Sequence, residues 1–304
     1  MENKSKSSGS LHKNNLHKKG YDLEALITIC PELKEFVFTN KYGTETIDFS
    51  NSKAVKCLNV ALLKKHYGVT NWDFPDENLC PPIPGRVDYI HHLADLLSES
   101  NIIQDVKVLD VGTGATCIYP LLGNSIYNWS FLGTDIDEYS LENAGRIIDE
   151  NSLNSEIKLQ FQPNESHIFQ KVLNEDSKFS ATMCNPPFFK SKEEAMGANK
   201  RKLKGLKQKS TDGRNFSGNS NELWYIGGEK AFVHTYLYES SLFKKQCFWY
   251  TTLVSNKDNL KSMYASLKKL GAIEIKTIPM HQGNKVTRVV AWTFLTEKEQ
   301  KEWI

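Results

Sequence analysis

The sequence predicts a doubly wound α/β fold of the Rossmann-like type: a mostly parallel sheet of seven strands with helices on both faces, preceded by a helical extension. Three observations carry that expectation. From Val106 onward, short apolar runs alternate with helical stretches, the grammar of parallel strands joined by crossover helices. The first run, Val106–Val111, passes straight into Gly112-Thr113-Gly114, and the second, Trp129–Thr134, ends at Asp135, so a glycine turn and an acid fall at consecutive strand ends. A later run, Phe179–Cys184, is stopped by Asn185-Pro186-Pro187, because proline lacks the ladder donor and fixes its own φ.

In order, residues 1–20 read as a flexible basic tail, too rich in Lys, Ser, Asn and His to bury much apolar surface. Residues 21–100 read as a mainly helical extension. Asp22 is placed to cap a helix that is interrupted near Pro31, and Ser50 or Asn51 caps a second with Val55, Leu58, Ala61 and Leu62 on its apolar face. Three prolines between Cys80 and Arg86 stiffen a loop that leads into a helix with Val87, Ile90, Leu93, Ala94 and Leu97 inward. Residues 101–304 form the α/β domain. Beyond the strands named above, Ile157–Phe161, Cys247–Val254, Ala272–Ile278 and Val286–Leu295 supply the rest, with helices over 138–151, about 229–245 and 257–270. A basic insertion at about 190–228 is too polar and glycine-rich to pack, and long loops of this kind are usually functional or disordered.

Composition narrows the class. Charged residues make up 24% of the chain and the hydrophobic set 39%, ordinary for a soluble globular protein, and no run reaches the ~20 apolar residues of a membrane span. The first twenty residues lack the apolar segment of a secretory signal, so a cytoplasmic location is expected. Six cysteines without paired short spacings give no zinc or redox pattern and read as reduced thiols; no metal is expected. The net charge is only +2, yet residues 1–20 carry +4 and residues 200–214 carry +6, which leaves −8 for the remainder. Such concentration suits contact with a phosphate backbone. The candidates are Lys200, Arg201, Lys202, Lys204, Lys207, Lys209 and Arg214.

The strand ends carry the chemistry. Gly112-x-Gly114 is half of a dinucleotide fingerprint, but Cys117 occupies the third glycine position, so a cofactor without a pyrophosphate is expected. Asp110-Val-Gly-Thr-Gly resembles the first motif of class I S-adenosylmethionine-dependent methyltransferases. Asp135, at the end of the following strand, is placed to accept the hydrogens of both ribose hydroxyls. At the later strand end, the Asn185 amide oxygen and the Pro186 carbonyl are two acceptors held side by side by a turn that Pro186 and Pro187 stiffen. They suit one planar NH2 group. Phe188 offers a flat face on which an extruded base could stack, worth ~1–3 kcal/mol. Together these features point to methylation of a conjugated amino group. The Asn-Pro-Pro-Phe motif alone leaves adenine N6, cytosine N4, guanine N2 and the glutamine side chain open.

Further stretches make the resemblance specific. Asn15-Leu-His17-Lys-Lys-Gly-Tyr21-Asp22, Cys80-Pro-Pro-Ile-Pro-Gly-Arg86-Val-Asp88, Asp110-Val-Gly-Thr-Gly-Ala-Thr116 and Gly227-Gly228-Glu229 together resemble the RlmF-type bacterial 23S ribosomal RNA adenine-N6 methyltransferases, from about residue 15 to 295. That resemblance implies a class I methyltransferase fold and S-adenosylmethionine as cofactor, with contacts from Arg86, Gly112, Thr116, Asp135 and Ser166 and with Asn185 at the reaction centre. It also implies cations near the RNA path at Lys285 and Arg288. The partner expected is 23S ribosomal RNA or a large-subunit assembly intermediate, with no membrane, and the protein is expected to act as a monomer. A protein glutamine N5-methyltransferase, a guanine-N2 RNA methyltransferase and a non-catalytic RNA-binding module remain the rivals.

Overall fold

The computed structural model describes residues 10–191, 193–194, 224–282 and 285–303. The seven insertion cations from Lys200 to Arg214 lie outside the described residues, as do residues 1–9 and the side chain of Lys285.

The extension contains α1 (Leu23–Ile29), a hairpin of β1 (Val37–Thr39) and β2 (Glu45–Ile47), α2 (Ser52–Tyr67) and α3 (Ile83–Glu99). Asp22 caps α1 through Ala25 N–H, and Asn51 caps α2 through Lys53 and Ala54 N–H. Gly68, in the left-handed region at φ 66°, ends α2. The hairpin is an element that the mainly helical expectation did not include: its strands are three residues long and Phe38 stays exposed, so no apolar alternation announces it.

The α/β domain continues with β3 (Lys107–Val111), α4 (Ile118–Tyr127), β4 (Ser130–Asp135), α5 (Glu138–Glu150), β5 (Ile157–Phe161) and β6 (Phe179–Cys184). It ends with α6 (Gly228–Ser240), β7 (Cys247–Val254), α7 (Asn259–Leu270), β8 (Glu274–Gln282), β9 (Lys285–Thr293) and α8 (Glu297–Trp303). Among the described residues the sheet has seven strands in the order β5-β4-β3-β6-β7-β9-β8. The pairs from β5 to β7 are parallel, while β9 runs antiparallel to both β7 and β8. The expected seven-stranded α/β fold is therefore present. Every residue of β6 and β7 is buried, which explains their continuous apolar runs, since a central parallel strand has helices on both faces. Alternate residues feed two cores. Val108 and Ala181 join one with Leu58, Leu62 and Leu93 of the extension, and Leu109 and Tyr250 join the other with Val233 of α6.

The tail reading fails for residues 12–19. Asn15 is fully buried; its side-chain nitrogen donates to the Pro84 carbonyl (2.9 Å) and to Asp88 Oδ1 (3.0 Å), and its oxygen accepts His17 N–H. His12 N–H also donates to Asp88 Oδ1 (2.6 Å), and His17 Nε2 meets the Tyr67 hydroxyl at 2.7 Å. Polar composition misled because this segment is held by directed hydrogen bonds to the first turns of α3 rather than by apolar area. Because Asn15→Ala leaves Asp88 and the Pro84 carbonyl short of a buried donor, it should lower stability by about 2–3 kcal/mol. Urea unfolding checks this, and an unchanged midpoint would mean that the segment is not packed in solution.

Candidate active site

A cleft enclosing about 1230 Å³, its open mouth included, lies at the carboxyl ends of β3, β4 and β6. This is where an open parallel sheet binds ligands. Its floor is the turn after β3. Gly112 and Gly114 have φ of 73° and 64°, which a side chain rarely tolerates, and a Cβ built on Gly112 would meet no atom within 4 Å. Backbone conformation and not crowding demands glycine there. Neighbours hold the turn still: the N–H groups of Gly112 and Thr113 both donate to the Thr134 carbonyl at 2.9 Å, Trp72 Nε1 donates to the Thr116 carbonyl at 2.9 Å, and Asn143 donates to that of Ala115 at 2.7 Å. Asp135 is fastened to the same turn, with Oδ2 accepting Gly114 N–H (2.9 Å) and Oδ1 accepting Asp137 N–H (3.0 Å). Burial raises its pKa, and those two N–H groups oppose the rise.

One wall comes from the extension. Leu79, Pro81 and Arg86 line the cleft, and Asn59 of α2 pins the proline loop by donating to the Pro81 carbonyl at 2.9 Å. Arg86 donates to the Tyr119 hydroxyl at 2.7 Å, with its guanidinium 5.3 Å from that ring's centre, while its Nε is buried without a partner among the described residues. Asp110 is 1% exposed, and among the described residues neither carboxylate oxygen has a hydrogen-bond partner. Burial pushes its carboxyl up to about 7, which the nearby Thr113 hydroxyl and Arg86 offset only in part. Orphaned buried polar atoms are rare, and a cation and an anion left short together suit a zwitterionic ligand.

The opposite wall is the end of β6 with what faces it. Asn185 is half-buried and, like Pro187, lines the cleft. Among the described residues neither its side-chain amide nor the Pro186 carbonyl has a hydrogen-bond partner. Phe189 forms a bridge with Trp224, and its carbonyl accepts Tyr225 N–H at 3.0 Å, so the segment after the Asn-Pro-Pro turn is clamped to two aromatic residues that also line the cleft. Glu239 of α6, 2% exposed, accepts Ile168, Phe169 and Gln170 N–H at 2.7–3.1 Å and meets His167 Nδ1 at 2.9 Å. It thereby fixes the loop whose Glu165, His167 and Ile168 complete the lining.

The structure thus brings Arg86, Gly112, Gly114, Thr116, Asp135, Asn185 and Pro187 into one cleft. Asp110 is buried beside Arg86; Pro186 is buried and is not among the lining residues. Phe188 is 40% exposed next to Pro187, and Ser166 is exposed between two lining residues, its N–H donating to Asn164. Arg288 stands in β9, paired with Val254 at the end of β7, and is not among the lining residues; a guanidinium N–H is directed to the Val286 carbonyl. Sequence reasoning missed Trp224, Tyr225, Gln162 and the proline-loop residues Leu79 and Pro81 as lining. Only the position of Trp224 and Tyr225 just before Gly227-Gly228 could have pointed to them.

Asp110 sets a pH dependence. A carboxyl raised by burial is uncharged in the folded protein up to about pH 7 and ionised in the unfolded chain above about pH 4, so its contribution is lost as pH rises through that window. Asp110→Asn should therefore stabilise the ligand-free protein most above pH 7, with the advantage shrinking as pH falls. Urea midpoints at pH 5 and pH 8 test this; an equal effect at both would place the titration elsewhere.

Comparison with known proteins adds to this geometry. A family model described as RNA methyltransferase matches residues 5–296. A ribosomal RNA large subunit methyltransferase F of Flavobacterium johnsoniae is 51% identical over 97% of this chain and 96% of its own length. One from Shewanella loihica is 46% identical over 98% of this chain and 82% of its own. Among solved structures, the hMettl16 catalytic domain in complex with MAT2A 3'UTR hairpin 1 has a TM-score of 0.81 and 30% identity, covering 95% of this chain and 97% of that one. The N-terminal domain of human METTL16 in complex with SAH has a TM-score of 0.76 and 28% identity, covering 95% and 100%. With residues 5–296 matched and such relatives aligned over nearly the whole length, the chain belongs to the RNA methyltransferase family, alongside the large-subunit methyltransferases F.

Proposed function

We propose that the protein transfers a methyl group from S-adenosylmethionine to the exocyclic N6 amino group of an adenine in 23S ribosomal RNA. The observation that carries this is the Asn185 amide at the end of β6, which lines the same cleft as the Gly112–Gly114 turn and Asp135 and, like the adjoining Pro186 carbonyl, has no hydrogen-bond partner among the described residues. The residues fit the cofactor. The unpartnered Asp110 carboxylate and Arg86 Nε suit its ammonium and carboxylate, the glycine turn allows close approach, and Asp135 suits the ribose hydroxyls. The SAH complex of the human METTL16 domain supports this fit. The 23S target follows the relatives named large-subunit methyltransferases, and the choice of adenine N6 follows the sequence resemblance.

When bound, the cofactor supplies an electrophilic methyl group on a sulfonium. The work of this chain lies in the acceptor. An aromatic amino nitrogen is a poor nucleophile because its lone pair is delocalised into the ring. The Asn185 oxygen and Pro186 carbonyl accept both N–H bonds and favour the pyramidal geometry in which that lone pair can attack. No strong base is needed, since the nitrogen becomes acidic only once methylated. Phe188 provides an exposed face for an extruded base. Lys200, Arg201, Lys202, Lys204, Lys207, Lys209 and Arg214, with Lys285 and Arg288, supply charge for phosphate contacts. We place the protein in the cytoplasm, acting as a monomer on 23S RNA or a large-subunit assembly intermediate.

Incubation with labelled methyl donor and either ribosomal RNA or a protein release factor tests the class of substrate: label should enter RNA alone. Within that assay two substitutions separate binding from chemistry. Asn185→Ala should cut turnover at least ~100-fold with near-normal cofactor affinity, whereas Asp135→Ala should weaken cofactor binding by about 1.5–3 kcal/mol in calorimetry. Normal turnover in the Asn185 variant would end the mechanism.

A further inference from the structure

The central ladder of the sheet changes character just before the reaction centre. On the β3 side, β6 remains paired through Cys184, opposite Val111. On the β7 side, the last paired residues are Ala181 and Trp249. Beyond them, side-chain hydroxyls take over. Thr251 N–H donates to Thr182 Oγ1 at 2.9 Å, and Thr251 Oγ1 donates to the Thr182 carbonyl at 2.5 Å. Each threonine then receives a tyrosine from a different helix layer. The Tyr89 hydroxyl of α3 lies 2.6 Å from Thr251 Oγ1, and the Tyr236 hydroxyl of α6 donates to Thr182 Oγ1 at 2.7 Å. Since the Thr251 hydrogen is committed to the carbonyl, Tyr89 must be the donor in its pair, which fixes the polarity of the chain.

All four side chains are fully buried. Burying four hydroxyls is costly unless each is satisfied, and here each is satisfied only by the others and by the two backbones. A strand pair needs none of this to hold together, because an ordinary ladder would continue between two apolar residues. What the arrangement adds is a cross-brace through the sheet, from one helix layer to the other, three residues before Asn185. Asn185 has left the ladder, and among the described residues its amide has no partner of its own. Its lateral position is therefore inherited from Thr182–Cys184.

We propose that Tyr89, Thr251, Thr182 and Tyr236 are positioning residues for methyl transfer: their hydroxyl chain sets where Asn185 and the Pro186 carbonyl stand when they take the substrate amino group. The proposal rests on the reading of Asn185 as the reaction centre. Misplacement of a reacting group by about 1 Å can cost on the order of 100-fold in rate, so a brace of this kind acts on turnover more than on affinity.

The test uses Tyr89→Phe and Tyr236→Phe, each removing one hydroxyl and keeping the ring, in the full-length protein with ribosomal RNA and labelled methyl donor. Each should lower the single-turnover rate about tenfold, with KM for RNA and Kd for the cofactor within about twofold of wild type. Thr251→Ser should retain the rate and Thr251→Val should lose it. The distinguishing measurement is the pair of cycles with Asn185→Ala. If the brace acts through Asn185, neither tyrosine substitution slows that variant further, whereas a general loss of structure slows both backgrounds equally. Wild-type rates in both tyrosine variants, or losses that persist in the Asn185→Ala background, overturn the proposal. Should Asn185→Ala itself turn over normally, the functional reading fails first, and the two failures are told apart by that single variant.

Discussion

The site depends on one constraint, the placement of β3 between β4 and β6 with all three strands parallel. Parallel pairing brings Val111, Thr134 and Cys184 into register, so the residues that follow them emerge at one edge of the sheet. Gly112, Asp135 and Asn185 are far apart in the chain and become neighbours only through this register. A slip of one residue would turn each side chain to the other face of its strand and empty the cleft of its polar groups. The two threonines that tie β6 to β7 protect the register where the backbone ladder stops.

Around that edge the molecule uses buried charge to hold loops. Glu229 and Glu239 lie at opposite ends of α6. The first accepts N–H groups of Ser255 and Asn256 and the Asn259 amide, and the second accepts three consecutive N–H groups of the loop that walls the cleft. Both carboxylates are nearly inaccessible to water and well supplied with donors, the condition under which buried charge is tolerated. Asp110 is the contrast. It is equally buried, and burial pushes its carboxyl up to about 7 because the Thr113 hydroxyl and Arg86 offset the rise only in part. A structural carboxylate is satisfied by its own chain, and one left short supports the proposed place of Asp110 beside the cofactor.

Most of this was legible in the sequence. The apolar runs of β3, β4, β6 and β7 announce buried parallel strands because such strands need no polar face, and glycine, aspartate and Asn-Pro-Pro mark the ends where they stop. The fold class, the cleft and four of its anchors, Gly112, Gly114, Asp135 and Asn185, follow from those signals. Arg86 was reached only through resemblance, since an arginine in the first turn of a helix carries no spacing signature. What composition concealed was directed hydrogen bonding. Asn15 and His17 look like tail residues and are core residues, and the hydroxyls of Thr182 and Tyr236 look like strand and helix filler yet bond to each other in the core. Polar residues become legible as buried only when their partners are known, and those partners are distant in sequence.

In the proposed reaction Asn185 and its neighbours act on an adenine amino group of large-subunit RNA. Nucleoside mass spectrometry tests it most directly, on 23S RNA from a strain lacking this gene and complemented with either the natural protein or Asn185→Ala. One N6-methyladenosine should disappear on deletion, return with the natural protein and stay absent with the variant. An unchanged N6-methyladenosine content on deletion, or loss of a different methylated nucleoside, would contradict it.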